Sequence, residues 1–150
     1  MRYVDVDAVL GIQEPGAIAA LAEIFPQDEY PFPRVEPRRR WLAEISDSDV
    51  QCFVIRPGEY IAGFAALRGT ELLHFGTAMS TWGSGLASAA HGELLAILRR
   101  QGETMAWLRV FEANARARRF YVKHRWLTDG ERSTSSFPPH PVLLRYERNL

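Results

Sequence analysis

A chain of 150 residues has the size of one domain. At 47% hydrophobic and 24% charged, it is neither a disordered chain nor a collagen-like repeat, and its single cysteine excludes a disulfide scaffold. Lys+Arg and Asp+Glu both number 18, and a balanced charge argues against non-specific binding to nucleic acid or an anionic membrane.

The N-terminus, MRYVDVDAVL, carries acids where a signal peptide needs an apolar stretch, and no apolar run reaches the length of a membrane span. The expectation is a cytoplasmic protein. No paired Cys or His has ligand spacing, so no metal is expected.

In chain order, Met1 to Val6 reads as an edge strand. Residues Asp7 to Phe25 are helical in period, with Pro15-Gly16 expected to divide them into two pieces. Four prolines, Pro26, Pro31, Pro33 and Pro37, make the next stretch an ordered loop or a lid. Pro37 can open a helix at its first position, and Trp41, Leu42 and Ile45 give that helix an apolar side. Val50–Ile55, Tyr60–Leu67 and Glu71–Met79 read as three strands of an antiparallel meander, joined at Pro57-Gly58 and Arg68-Gly69-Thr70.

The period then changes. Leu86, Ala90, Leu94 and Leu98 step by four and predict an amphipathic helix stopped by Arg99-Arg100-Gln101-Gly102. Met105–Phe111 is a strand, and Asn114 caps a helix carrying Ala117, Phe120 and Tyr121. Trp126–Thr128 is a short strand ending in a turn at Asp129-Gly130. Ser133–Pro141 is a loop, and Val142–Arg148 is the last strand. The order describes one mixed α/β domain.

Small residues cluster at Gly83, Ser84, Gly85, Ala87 and Ser88, between a strand and a long helix. Such a turn leaves backbone N–H groups uncovered at a helix N-terminus, where the helix dipole favours an anion such as a diphosphate. The same turn can also be a plain strand-to-helix connection. It lacks the Lys-Ser/Thr of a P-loop and the third glycine of a dinucleotide fingerprint.

Further along, Asn114, Ala117, Phe120, Tyr121 and Trp126 are spaced so that Leu108 to Trp126 resembles the second signature of the GNAT superfamily of N-acetyltransferases. Trp82 to Ala87 is then similar to that family's pyrophosphate loop, Gln/Arg-x-x-Gly-x-Gly/Ala. The two motifs stand in the family's order, and the resemblance spans about Val50 to Arg148. Trp82 replaces the usual Gln or Arg, and Arg125 replaces the usual Gly.

The resemblance implies an α+β fold: a central mixed, mostly antiparallel sheet with helices on both faces. A splayed parallel strand pair would bind acetyl-CoA as cosubstrate. Backbone at Thr77, Ala78 and Met79 would pair with the pantetheine arm. The turn at Gly83, Ser84, Gly85, Leu86, Ala87 and Ser88 would hold the diphosphate, with Asn114 and Phe120 also at the cofactor. Tyr121 would be the acid for the leaving thiolate. Arg116, Arg118, Arg119 and Lys123 read either as a solvated face or as a source of one cation for a CoA phosphate.

A base for the attacking amine is expected at His140, with His74, Glu71 or a water as the other candidates. His91 and His124 are read as structural or exposed, and Cys52 as a small hydrophobe. The acceptor, a primary amine of a small molecule or a peptide, would lie among Phe25, Tyr30, Phe32, Trp41 and the Ser133–His140 loop, where Asp28, Glu29 and Glu36 either attract a cationic amine or simply solvate the loop. A non-catalytic acyl-CoA sensor of the same fold is the alternative. Zero net charge argues against a nucleic-acid partner on the Arg-rich helix. A monomer or a homodimer is expected.

Overall fold

The structure, a computed structural model, describes residues 1–150. Helices α1 (Val6–Ala20) and α2 (Val35–Ser46) precede strands β1 (Val50–Ile55), β2 (Gly63–Arg68) and β3 (Glu71–Thr77). Then follow α3 (Leu86–Arg100), β4 (Met105–Phe111), α4 (Ala115–Lys123), β5 (Leu127–Thr134) and β6 (Val142–Asn149). The six strands form one sheet in the order β1-β2-β3-β4-β6-β5. All neighbours are antiparallel except β3 and β4. A parallel pair needs a crossover, and α3 supplies it.

Each face of the sheet has its own core. On one, Val6, Val9, Leu10 and Trp41 of α1 and α2 pack on Val50, Phe64 and Ala66. On the other, Leu94, Leu95 and Leu98 of α3 and Tyr121 of α4 pack on Ala65, Leu67, Leu108, Val110 and Leu144. Strand alternation explains why β2 is apolar from Phe64 to Leu67: Phe64 and Ala66 serve one core, and Ala65 and Leu67 the other. A fully buried leucine such as Leu98, 1% exposed, contributes roughly 2 kcal/mol. No helix is long and apolar enough to cross a membrane.

Four local expectations are corrected. The first residues form no strand: a 3-10 turn at Tyr3–Asp5 leads straight into α1. Val6, Val9 and Leu10, at helical spacing, are all buried, so the 3.6-residue period prevails. The helix also runs through Pro15 rather than breaking there. Gly11, Pro15 and Ala19 form its exposed stripe, so the Gly11 carbonyl that Pro15 cannot bond is left on the solvent side.

Helix α2 begins at Val35, two residues before Pro37, which is tolerated because first-turn amides have no intrahelical partner anyway. Finally, β5 continues past Thr128 to Thr134. It bulges between Thr128 and Arg132, where Gly130 takes φ +86°, and stays paired with β6. Every residue of β5 is exposed, so it carries no hydrophobic alternation to reveal it.

Candidate active site

The parallel pair is joined only at its start. Glu71 faces Trp107, and the Trp107 amide donates to the Thr70 carbonyl at 3.0 Å. From there toward Thr77 and Phe111 the strands share no ladder, so a wedge-shaped gap opens at their C-terminal ends. At the open end the Ala78 amide bonds Ala62 O at 2.8 Å, toward β2. In a trans peptide the C=O and the following N–H point opposite ways, so the Thr77 carbonyl faces the gap. It accepts the Trp82 indole N–H at 3.1 Å. Thr77 therefore ends the strand with its acceptor occupied, while Met79 starts a 3-10 turn and is 44% exposed.

The glycine-bearing turn follows. Gly83 (φ +83°) and Gly85 (φ +91°) adopt the left-handed conformation, where a side chain is strained. Ser84 fixes the turn from inside: its amide and hydroxyl donate to Thr81 O at 3.1 and 2.6 Å, and its Oγ accepts from Leu86 N at 3.3 Å. The amides of Gly83, Gly85, Ala87 and Ser88 have no partner in the protein. No acidic residue occurs between Thr77 and Gly92. Four unbonded donors and the positive end of α3 thus meet beside the gap, an arrangement that suits a diphosphate.

Helix α4 forms the other wall. Asn114 Oδ1 accepts from Ala117 N at 3.0 Å, the expected cap. Phe120 stacks on Phe75 of β3 with centroids 5.8 Å apart, so the two walls touch. Tyr121 is buried, and burial raises its phenol above the ordinary value, keeping it protonated. No protein group hydrogen-bonds the Tyr121 hydroxyl, and burial alone accounts for its shift. Arg125 has φ +61°, with Arg125 N on Val122 O and Trp126 N on Tyr121 O. This is a Schellman end whose left-handed position a glycine would fill without strain. Arg125 keeps the same bonds at some backbone cost.

The histidines separate into three environments. His140 (φ +59°) is exposed, and its Nδ1 lies 3.0 Å from Ser135 O. An Nδ1–H donated to a carbonyl leaves Nε2 as a free acceptor, the form a base needs. Its loop leans toward α2, where Arg40 stands 5.3 Å over the Phe137 ring. His74 instead faces α2: its Nε2–H donates to both oxygens of the buried Glu44 carboxylate at 2.9 Å, and Trp41 packs on it at 4.9 Å. His91 and His124 line α3 and α4, where Ser88 Oγ and His124 Nε2 are 3.0 Å apart.

Glu71 lies at the closed end of the gap, bound to Arg109 at 2.8 Å. That is six residues, about 20 Å, from the open end, so it is removed from the turn. Burial and the nearby Glu44 push the Cys52 thiol up to about 11, against nucleophilic use. Phe25 packs edge-on to Phe111 at 5.5 Å, bringing the α1–α2 connection over the end of β4. Sequence reading did not anticipate the Glu44–His74 pair or the seat of Arg116, whose guanidinium lies 3.7 Å over the Trp82 ring. Both join residues distant in the chain, and neither has a local signature.

Comparison with known proteins agrees with this geometry. The model of the acetyltransferase (GNAT) family matches residues 17–125, well over half of the chain. The fold is similar to that of a GCN5-related N-acetyltransferase from Rhodopseudomonas palustris, with a TM-score of 0.81 and 12% identity over 100% of this chain and 92% of that one. It is also similar to PaiA N-acetyltransferase from Thermoplasma acidophilum in complex with coenzyme A, with a TM-score of 0.69 and 13% identity over 99% and 96% of the two chains. A third similar structure is ribosomal-protein-alanine N-acetyltransferase from Brucella melitensis, with a TM-score of 0.72 and 17% identity over 100% and 97%. No curated protein matches in sequence. With the splayed strand pair, the turn of free amides and the family match in hand, the chain belongs to the GNAT family of acetyltransferases, which use acetyl-CoA.

Proposed function

We propose that this acetyltransferase moves the acetyl group of acetyl-CoA to a primary amine of a small molecule by direct attack. The observation that carries this reading is the turn of unbonded amides at Gly83, Gly85, Ala87 and Ser88, placed at the open end of the β3–β4 gap. These amides bind the diphosphate, with Ser84 and Leu86 shaping the turn. The pantetheine arm enters the gap along Thr77, Ala78 and Met79, between Phe120 and the Asn114 end of α4.

The amine nitrogen forms a bond to the thioester carbonyl carbon, and the carbon–sulfur bond breaks. His140 takes a proton from the substrate ammonium at Nε2, the nitrogen that its Ser135 contact leaves free, so that the neutral amine is what attacks. Tyr121 faces the departing sulfur as donor, a role that its protonated, unbonded hydroxyl suits. His74 is the second candidate for the base, because Glu44 orients its ring as a carboxylate orients a catalytic histidine. On the acceptor side, Asp28 and Glu29 of the α1–α2 connection favour a cationic substrate, whereas Glu36, in the first turn of α2, is already paired with Arg39 at 3.0 Å.

A peptide amino terminus is the other acceptor to consider, since the similar Brucella melitensis enzyme is a ribosomal-protein-alanine N-acetyltransferase. The test is titration calorimetry with acetyl-CoA, followed by thiol release over a panel of small amines and short peptides. Binding with release on a small amine supports the proposal. Release on peptides alone transfers the acceptor to a protein terminus. Binding without release on either set favours an acyl-CoA sensor.

A further inference from the structure

Trp82 has no charge and no amide to offer an anion, yet it occupies the residue that opens the glycine turn. Its surroundings show how the turn compensates. The indole N–H is anchored on Thr77 O at 3.1 Å. One edge of the ring lies against α1, where a Cβ added to Gly16 would stand 3.9 Å from Cζ2. Above the ring lies the Arg116 guanidinium, 3.7 Å from the centroid. Arg116 comes from the first turn of α4, across the gap from β3.

Arg116 is in no ion pair and donates no hydrogen bond to the protein, in contrast to Arg118, which is engaged with Tyr146 Oη and the Glu112 carbonyl. No carboxylate occurs within Thr77 to Gly92 or within α4 itself. The guanidinium is therefore a positioned but unneutralised cation beside the unbonded amides of the turn. Stacking on an indole fixes the plane of an arginine while leaving its N–H fork free, and that fork matches phosphate oxygens.

We propose that Arg116, seated on Trp82, binds the diphosphate of acetyl-CoA together with the Gly83–Ser88 turn, and that Trp82 is the positioning residue that holds it there. The assignment deepens the acetyl-CoA reading above and rests on it. It also gives Trp82 a purpose: an uncharged ring on one wall recruits the charge from the other.

The experiment compares acetyl-CoA with acetyl-pantetheine, which keeps the thioester and the arm but lacks the diphosphate and the adenosine 3′-phosphate beyond it. Wild type, R116Q, W82F, W82A and the W82A/R116Q double variant are measured for acetyl-CoA affinity and for kcat/KM with each donor. Far-UV circular dichroism and thermal melting establish that each variant is folded. R116Q is expected to weaken acetyl-CoA binding about tenfold, raising KM more than it changes kcat. The ratio of kcat/KM for acetyl-CoA over acetyl-pantetheine falls by the same factor. W82F, which keeps an aromatic face, stays within a few-fold of wild type, whereas W82A matches R116Q and the double variant is no worse than either.

Unchanged acetyl-CoA affinity in R116Q overturns the proposal, as does an equal loss with acetyl-pantetheine. Additive effects of W82A and R116Q overturn the coupling. Wild-type protein that does not bind acetyl-CoA overturns the underlying cofactor reading and this assignment with it.

Discussion

The indole N–H of Trp126 donates to Nε2 of His91 at 2.9 Å, in a pair sealed from solvent on the α3–α4 face of the sheet. The bond requires a lone pair on Nε2, so the His91 ring is neutral. Burial, then His124 and Arg148, push its pKa down to about 3. In the unfolded chain it titrates near 6.5. Between those values the unfolded state binds the extra proton, so stability rises with pH there. The contribution is complete above about pH 6.5 and is lost as pH falls toward 3, by up to about 1.4 kcal/mol per unit. Urea midpoints at pH 7.5, 6 and 5 read this slope. His91→Leu is expected to flatten it, while lowering stability at pH 7.5 by about 1–3 kcal/mol because the Trp126 N–H is stranded.

Two glycines of the same region should respond in opposite directions. At Gly85 an added Cβ meets nothing within 4 Å, but φ is +91°. Gly85→Ala should cost about 1–2 kcal/mol from the backbone alone and weaken acetyl-CoA binding by disturbing the turn. Gly92, inside α3, also has open space and no positive φ. Gly92→Ala should stabilise by about 0.5–1 kcal/mol. Thermal melts of the two variants check the contrast.

Asn114 has a cap role that can be measured apart from any ligand contact. Asn114→Ala should cost about 1 kcal/mol through loss of the bond to Ala117 N, and Asn114→Asp should restore most of it. Affinity for acetyl-CoA, measured on both folded variants, reads the ligand contact separately.

Because the Tyr121 hydroxyl bonds nothing in the protein, Tyr121→Phe should leave the melting temperature nearly unchanged. Turnover should nonetheless fall by about 100-fold or more if the hydroxyl faces the departing sulfur, with acetyl-CoA affinity retained. A variant that turns over as fast as wild type removes Tyr121 from the chemistry.

The two candidate bases are separated by pH profiles. His140→Ala should abolish the acidic limb of kcat/KM if His140 takes the proton. His74→Ala should instead lower stability, since it leaves the buried Glu44 carboxylate without its partner. Loss of the acidic limb in His74→Ala, with His140→Ala unaffected, moves the base to His74.

What the sequence determined is local. Strands β1 and β4 were legible to the residue because apolar runs end at clear turns, and α3 because its leucines step by four. The Asn114 cap and the glycine turn were legible because each depends on a backbone geometry that few residues satisfy. Where local signals misled, a wider context prevailed: α1 continues through Pro15 because the carbonyl that loses its bond lies on the exposed stripe, and β5 is paired along β6 although it carries no apolar pattern of its own.

What only the tertiary structure decided is which distant residues meet. That Trp82 carries Arg116, that Glu44 orients His74 and that Trp126 donates to the buried His91 all depend on how the helices lie across the sheet. Such pairs join residues 30 or more positions apart, and no local period or propensity encodes them. Packing of the two faces fixes them, through burial and shape rather than through any short pattern in the chain.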